Sequence, residues 1–295
     1  MIRKQLHTPS GTIQFPAYIP VTTFGRKYPL DGLIQPYLPR MAQAVMVSHH
    51  YALQMTKRPR LPLMIDSGGF AALFEGSRIL DRDGLGVLEI NLGEEPELLT
   101  PWDVLDFQEE HADIAFTLDF PIPPNLDEKE AILRQKLTIK NALWALNNRR
   151  RSDMRLFACI QGWDIESIGR CAEAYASVSF DGIALGGMVP RAKDRQFVLS
   201  CVKEVRKKIP DIPLHVFGLG HPEFAEELIN AGVDSIDSSA YVKAAADGKS
   251  WIDPHTPIIE PSPTDRLKLA LENLTFASGK MSGRHRLRLY EQNIV

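Results

Sequence analysis

The chain has 295 residues, 44% of them hydrophobic and 24% charged, with 34 Lys+Arg against 37 Asp+Glu and a net charge of −3. This excludes collagen, coiled coil, a disordered chain and a uniformly basic nucleic-acid coat, while leaving room for a local basic face. Cys159, Cys171 and Cys201 are too few and too scattered for a disulfide scaffold or a CxxC metal knuckle, and no run approaches the roughly 18 apolar residues of a membrane span, so a reducing, cytoplasmic setting is expected.

In chain order, β-rich apolar runs bounded by turn residues fall at 17–21, 44–47, 62–65, 114–118, 156–160, 182–185, 214–217 and 233–236. Helical patterns lie between several of them, at 128–147, 165–177, 194–208 and 222–231. Eight strands alternating with helices predict an α/β protein of the (β/α)8 TIM-barrel class. An open doubly wound sheet is the other architecture, but no GxGxxG follows an early strand. Residues 76–101 are too many for a tight loop and read as an insertion. Residues 1–252 are expected to form the catalytic barrel. Residues 253–295 would add a proline-rich connector, a helix over 265–276 and a basic tail packing on the barrel.

The most informative residues follow the strands: Asp66-Ser67-Gly68-Gly69-Phe70, Asp119-Phe120-Pro121, Gln161-Gly162, Gly186-Gly187-Met188, Gly218-Leu219-Gly220 and Asp237-Ser238-Ser239. In a barrel these positions share the carboxyl-end mouth, where such enzymes carry their sites. Any single aspartate there could simply cap the next helix; three at one mouth favour chemistry. Paired carboxylates suit displacement at an anomeric carbon, and glycines let backbone N–H groups approach a planar ligand. Phe70 offers a stacking face, although a lone phenylalanine is more often core. His49, His50, His215 and His221 lack carboxylate or thiolate partners at ligand spacing and read as solvated or core residues, so no metal is expected.

These motifs, together with His7-Thr8-Pro9-Ser10-Gly11-Thr12-Ile13 near the start, resemble the tRNA-guanine transglycosylase family over about residues 7 to 250. Its members are barrel enzymes that exchange guanine in a polynucleotide for a 7-deazaguanine. The resemblance implies that Asp237 is the nucleophile at C1′ of the target nucleotide and that Asp66 is the general acid/base. Asp119 would accept from the N1–H and 2-amino edge of the base, while Gln161 and the Gly187 N–H would hold its 6-oxo group. Phe70 and Phe217 would sandwich the ring, with Gly186, Met188 and Gly218 completing the substrate-binding set. One glycosidic bond replaces another, so no cofactor is expected.

The departures from the family pattern bear on the polymer. The tRNA enzymes carry a CxCxxC…H zinc subdomain after their nucleophile, whereas no cysteine follows Cys201 here. Met188-Val189-Pro190-Arg191 and Ser238-Ser239-Ala240-Tyr241 also differ from the usual stretches. Val21-Thr22-Thr23-Phe24-Gly25, Tyr28-Pro29-Leu30 and Ser48-His49-His50-Tyr51 look more like the relatives that place preQ0-like 7-deazaguanines in DNA of bacteria and their phages. The resemblance therefore implies DNA as partner, with tRNA the alternative and a free 7-deazaguanine base as co-substrate, in a bacterial or phage-infected cytoplasm. A helicase/ATPase partner or a homodimer is compatible with this. Candidate backbone contacts are Arg26, Lys27, Arg149, Arg150, Arg151 and the tail residues Lys280, Arg284, Arg286 and Arg288, each of which could equally belong to a solvated face. Two other classes compete. A non-catalytic nucleic-acid-binding subunit would not need both Asp66 and Asp237, and a sugar hydrolase would not need Asp119, Gln161 and Gly187.

Overall fold

The computed structural model describes residues 5–91 and 96–282. A hairpin of β1 (Gln5–Thr8) and β2 (Gly11–Gln14) comes first, followed by β3 (Ala17–Thr22), β4 (Val45–Ser48) and β5 (Leu63–Asp66). An inserted antiparallel sheet of β6 (Arg78–Arg82), β7 (Leu85–Ile90) and β8 (Glu97–Leu99) precedes β9 (Ile114–Phe116). Then come β10 (Arg155–Ile160), β11 (Gly182–Leu185), β12 (Leu214–Val216) and β13 (Ser235–Ser238). β3, β4, β5 and β9 through β13 close into an eight-stranded barrel, every neighbouring pair parallel, with β13 against β3. The eight strands expected from the sequence are these eight, and the inserted sheet occupies the stretch expected to be an insertion.

Strand alternation divides the core in two. Ile19, Met46, Met64, Ile114, Phe116, Phe157, Cys159 and Ala184 fill the barrel interior, and Leu6 and Ile13 of the hairpin join them. Their strand neighbours Val45, Val47, Leu63, Ile65, Ala158 and Ile160 pack outward with the helices. Burial on both faces is why these strands read as continuous apolar runs. The helices are α1 (Pro29–Ile34), α2 (Leu38–Met41), α3 (His49–Ala52), α4 (Pro101–His111), α5 (Glu128–Asn148), α6 (Ile165–Glu173), α7 (Arg195–Lys208), α8 (Pro222–Asn230), α9 (Ala240–Ala246) and α10 (Pro263–Ser282). α4 begins in a Thr100–Asp103 capping box with Pro101 in its first turn, and Asp127, Asp164 and Asp194 cap α5, α6 and α7. None of the three mouth aspartates is the N-cap residue of a helix. α10 lies along α8 and α9, tied by the buried Asn273, which accepts from the Trp251 N–H at 2.7 Å and donates to the Lys249 carbonyl at 3.1 Å.

Two strands differ from the sequence expectation by two residues. β9 stops at Phe116 because Thr117 turns its hydroxyl to accept the Cys159 N–H at 3.1 Å, and the Leu118 carbonyl is taken by Asn141 of α5. β13 begins two residues late because Asp234 serves the lower rim. It accepts the Leu214 N–H at 2.8 Å and pairs with Arg206. Asp113 and Asp181 repeat that arrangement beside β9 and β11. Asp113 accepts from the Leu63 N–H and pairs with Arg58, while Asp181 accepts from the Leu156 N–H and pairs with Arg149 and Arg155. These three locks hold adjacent strands in register at the amino end. Breaking a buried pair leaves an unpaired charge, so Asp234→Ala is expected to cost about 3 kcal/mol in chemical denaturation. Glu166→Ala, which removes only the exposed partner of Arg170, is expected to cost under about 1 kcal/mol.

Candidate active site

The interior parity of the strands continues past their ends. Two residues beyond Met64 is Asp66, beyond Cys159 is Gln161, and beyond Ala184 is Gly186; His215, Phe217, Ser235 and Asp237 follow the same rule on the last two strands. Asp119 reaches the mouth by another route, on the segment after β9, where Asn141 and Thr138 of α5 hold Leu118 and Phe120.

Asp237 is 7% exposed. Its Oδ1 accepts from His215 Nε2 at 2.9 Å and from the Gly218 N–H at 3.0 Å. Gly218 has φ of +74°, a left-handed turn suited to glycine, and an added Cβ would lie 2.5 Å from Val189. Asp237 Oδ2 has no hydrogen-bond partner among the described residues. Asp66, half-buried, accepts from the Gly68 N–H at 2.8 Å and the His49 N–H at 3.4 Å. Burial pushes the Asp66 carboxyl up to about 7; the charges of Asp237 and Asp119 push the same way and the two N–H groups oppose.

Asp119 is buried and takes Ser67 Oγ at 2.9 Å on one oxygen and Gln161 Nε2 at 2.6 Å on the other. Burial raises its pKa, against the pull of those two donors. Two glycines make this packing possible. An added Cβ at Gly69 would lie 1.9 Å from the Asp119 carbonyl oxygen, and one at Gly186 would lie 2.2 Å from Gln161 Nε2. Gln161 Oε1 is buried without a partner, next to Gly187. Phe70 stands 64% exposed on the turn after Gly69, edge-on to Phe74. Phe217 lies lower, packed on Phe116 and His215 at ring distances of 4.9 and 5.0 Å. A groove of about 810 Å³ opens beside Asp66 and Phe70 and runs along α4, lined by Lys27 and an acidic wall of Glu97, Asp103, Asp106 and Glu110, of which Asp106, further along the helix, pairs with Arg150.

Two groups of expected contacts need correction. Met188 is fully buried in the outer core among the helices, so its side chain cannot touch a ligand at the mouth. Arg149, Arg150 and Arg151 lie between α5 and β10, at the amino end of the barrel. They are engaged there: Arg149 by Asp181, Arg150 by Asp106 and Glu109, and Arg151 by Asp153 and the carbonyls of Glu109 and Ala112. This end faces away from the mouth. His215 is a core residue, as expected, but unlike the expectation it has a carboxylate partner in Asp237. The parity of β12 marked it as interior, two residues before Phe217, but linear spacing could not reveal a neighbour 22 residues away.

Arg26 and Lys27 are exposed at the mouth on a turn anchored by buried Asp31, which accepts from Thr23 and Gly25. Arg284, Arg286 and Arg288 lie outside the described residues, as does the side chain of Lys280. No helix among the described residues is long and apolar enough to cross a membrane.

The sequence profile described as queuine tRNA-ribosyltransferase matches residues 3–278. The chain belongs to that family. Its members are pentosyltransferases that exchange guanine in nucleic acid, and the chain is an enzyme of that class. It is 25% identical to a queuine tRNA-ribosyltransferase of Thermosipho africanus over 273 residues, 84% of this chain and 72% of the relative. It is 26% identical over 249 residues to a tRNA-guanine(15) transglycosylase of Methanothermobacter thermautotrophicus, 83% of this chain but only 36% of that longer protein. A queuine tRNA-ribosyltransferase of Marinobacter nauticus is 24% identical over 268 residues, 83% of this chain and 70% of the relative.

The carboxyl cluster has a direct spectroscopic consequence. Carbon-13 carboxyl NMR is expected to show Asp66 protonated below about pH 7 and ionised above it. Asp237→Asn should lower that midpoint, since the Asp237 charge raises it; an unchanged midpoint would mean the two carboxylates do not interact.

Proposed function

We propose that the mouth exchanges guanine in a polynucleotide for a free 7-deazaguanine by two displacements at C1′. The observation that carries this reading is the pairing of Asp237, with one oxygen held and the other without a hydrogen-bond partner among the described residues, with a second carboxyl whose pKa is raised to about 7. Asp237 Oδ2 forms a bond to C1′ as the C1′–N9 bond breaks, and the electron pair passes to N9, which takes the Asp66 proton. The incoming base then returns its N9 proton to Asp66, N9 attacks C1′, and the Asp237 carboxylate leaves. Two inversions give retention. A carboxyl near pH 7 serves both as acid and as base at neutral pH.

Asp119 supplies acceptors for the N1–H and 2-amino donors of the base. The second hydrogen of Gln161 Nε2 and the Gly187 N–H serve its 6-oxo group. Phe70 supplies an exposed stacking face. Gly186 and Gly218 act through the close approaches described above, and no cofactor takes part in these steps. Arg26 and Lys27 are the basic side chains of this reading at the rim.

Two observations bear on the polymer. The printed names of the relatives point to tRNA. Against this, the three cysteines are buried within β10, α6 and α7, so none of them is placed to hold a zinc beside the mouth. DNA is the reading we retain, with the target nucleotide flipped from the duplex at a cost of a few kcal/mol.

Radiolabelled guanine offered with duplex DNA, single-stranded DNA or tRNA should enter DNA; label in tRNA alone would overturn that choice. Asp237→Ala should abolish incorporation and leave the melting curve near that of the parent. Adduct formation should slow as pH rises through about 7, where Asp66 loses its proton. Asp66→Asn should lower the rate about 100-fold or more, as loss of a general acid does.

A further inference from the structure

His215 is fully buried at the interior of β12, and both its ring nitrogens are engaged. Nε2 lies 2.9 Å from Asp237 Oδ1 and Nδ1 lies 2.8 Å from Ser235 Oγ. An ionised carboxylate only accepts, so Nε2 carries the hydrogen. In the neutral ring Nδ1 then accepts, and the Ser235 hydroxyl donates to it. Ser235 and Asp237 are alternate residues of β13, so strand parity turns both toward the same imidazole. The ring is held from its sides by Phe116 and Phe217, with centroids 5.4 and 5.0 Å away. The result is a directed chain, Ser235 O–H to His215 to Asp237, that ends on the oxygen also bonded by the Gly218 N–H.

We propose that the His215–Ser235 pair is a positioning device for the nucleophile that assigns Oδ1 as the anchored oxygen and Oδ2 as the attacking one, and that it speeds breakdown of the glycosyl-enzyme. This rests on Asp237 being the nucleophile. In the covalent state Oδ2 is bonded to C1′ and Oδ1 is the ester carbonyl oxygen, which still accepts from His215 and Gly218. When the incoming N9 attacks, the C1′–Oδ2 bond breaks and its electron pair returns to the carboxylate. The charge spreads onto Oδ1, where two donors already point. Preorganised donors aimed at developing charge lower that barrier. The same donors make the free carboxylate a somewhat weaker nucleophile, so their loss should fall mainly on the second displacement.

The test uses full-length protein, radiolabelled guanine and whichever of tRNA or duplex DNA it labels. His215→Phe keeps an aromatic ring against Phe116 and Phe217 but removes both ring nitrogens. It is expected to form the covalent adduct within a few-fold of the parent rate, to accumulate it on denaturing gels, and to turn over about 10-fold or more slowly, as loss of one such donor predicts. His215→Gln, whose amide N–H can reach the same oxygen, should restore most of the turnover. Ser235→Ala leaves the imidazole but frees its orientation and should give a smaller fall with the same adduct accumulation; it also serves if His215→Phe does not fold. Parent-like turnover in His215→Phe, or equal slowing of adduct formation and breakdown in all three variants, would overturn the proposal. Incorporation by Asp237→Ala, or by the parent into no polymer, would instead overturn the nucleophile reading on which it stands.

Discussion

The arrangement of the mouth depends on the two-residue alternation of a closed parallel barrel. Inside the ring, side chains alternate between an interior column and an outer helical layer, and the interior column continues upward past the last strand bonds. Asp66, Gln161, Gly186, Phe217 and Asp237 share one mouth because each stands at even spacing above an interior core residue. A slip of one residue in any strand would send its functional group into the helical layer. Met188 stands two residues beyond Gly186, at the same spacing, yet its side chain lies among the helices, because β11 has ended and the left-handed turn at Gly187 (φ +70°) breaks the alternation. The lower-rim locks around Asp113, Asp181 and Asp234 oppose such slips by fixing strand pairs at their amino ends.

Aspartate thus serves two purposes in one barrel. At the amino rim it is paired with arginine and saturated with N–H donors, which makes it structural. At the carboxyl rim it has no arginine partner; burial first, and then the charges of Asp237 and Asp119, raise the pKa of Asp66, and Asp237 Oδ2 has no hydrogen-bond partner among the described residues. Under the proposed function that desolvation is useful, since a carboxyl near neutrality can both give and take a proton. Gln161 Oε1, buried beside Gly187, is a polar atom of the same mouth without a hydrogen-bond partner among the described residues.

Charge around the mouth is uneven. Arg26 and Lys27 stand on a turn clamped by Asp31, while the groove beside Asp66 carries an acidic wall. A polynucleotide backbone is repelled by that wall and attracted toward the basic turn, so the local field constrains how a strand can cross the barrel even though the net charge of the chain is small.

By itself the sequence determined the fold class and most of the mouth. Apolar runs of strand length, separated by helical periods, specify a barrel, and residues immediately after a strand have a known end and a known parity. Asp66, Gln161 and Asp237 were legible for that reason, while Asp119 and Gly187 were legible only as residues at the same end of the barrel, not by parity. Tertiary structure alone decided the partnerships between strands. The bond from His215 to Asp237, the occupation of Arg149, Arg150 and Arg151 by acids at the far rim, and the inward packing of Met188 all join residues far apart in the chain. Local spacing carries no information about such pairs, because barrel closure, not sequence proximity, brings them within hydrogen-bonding distance.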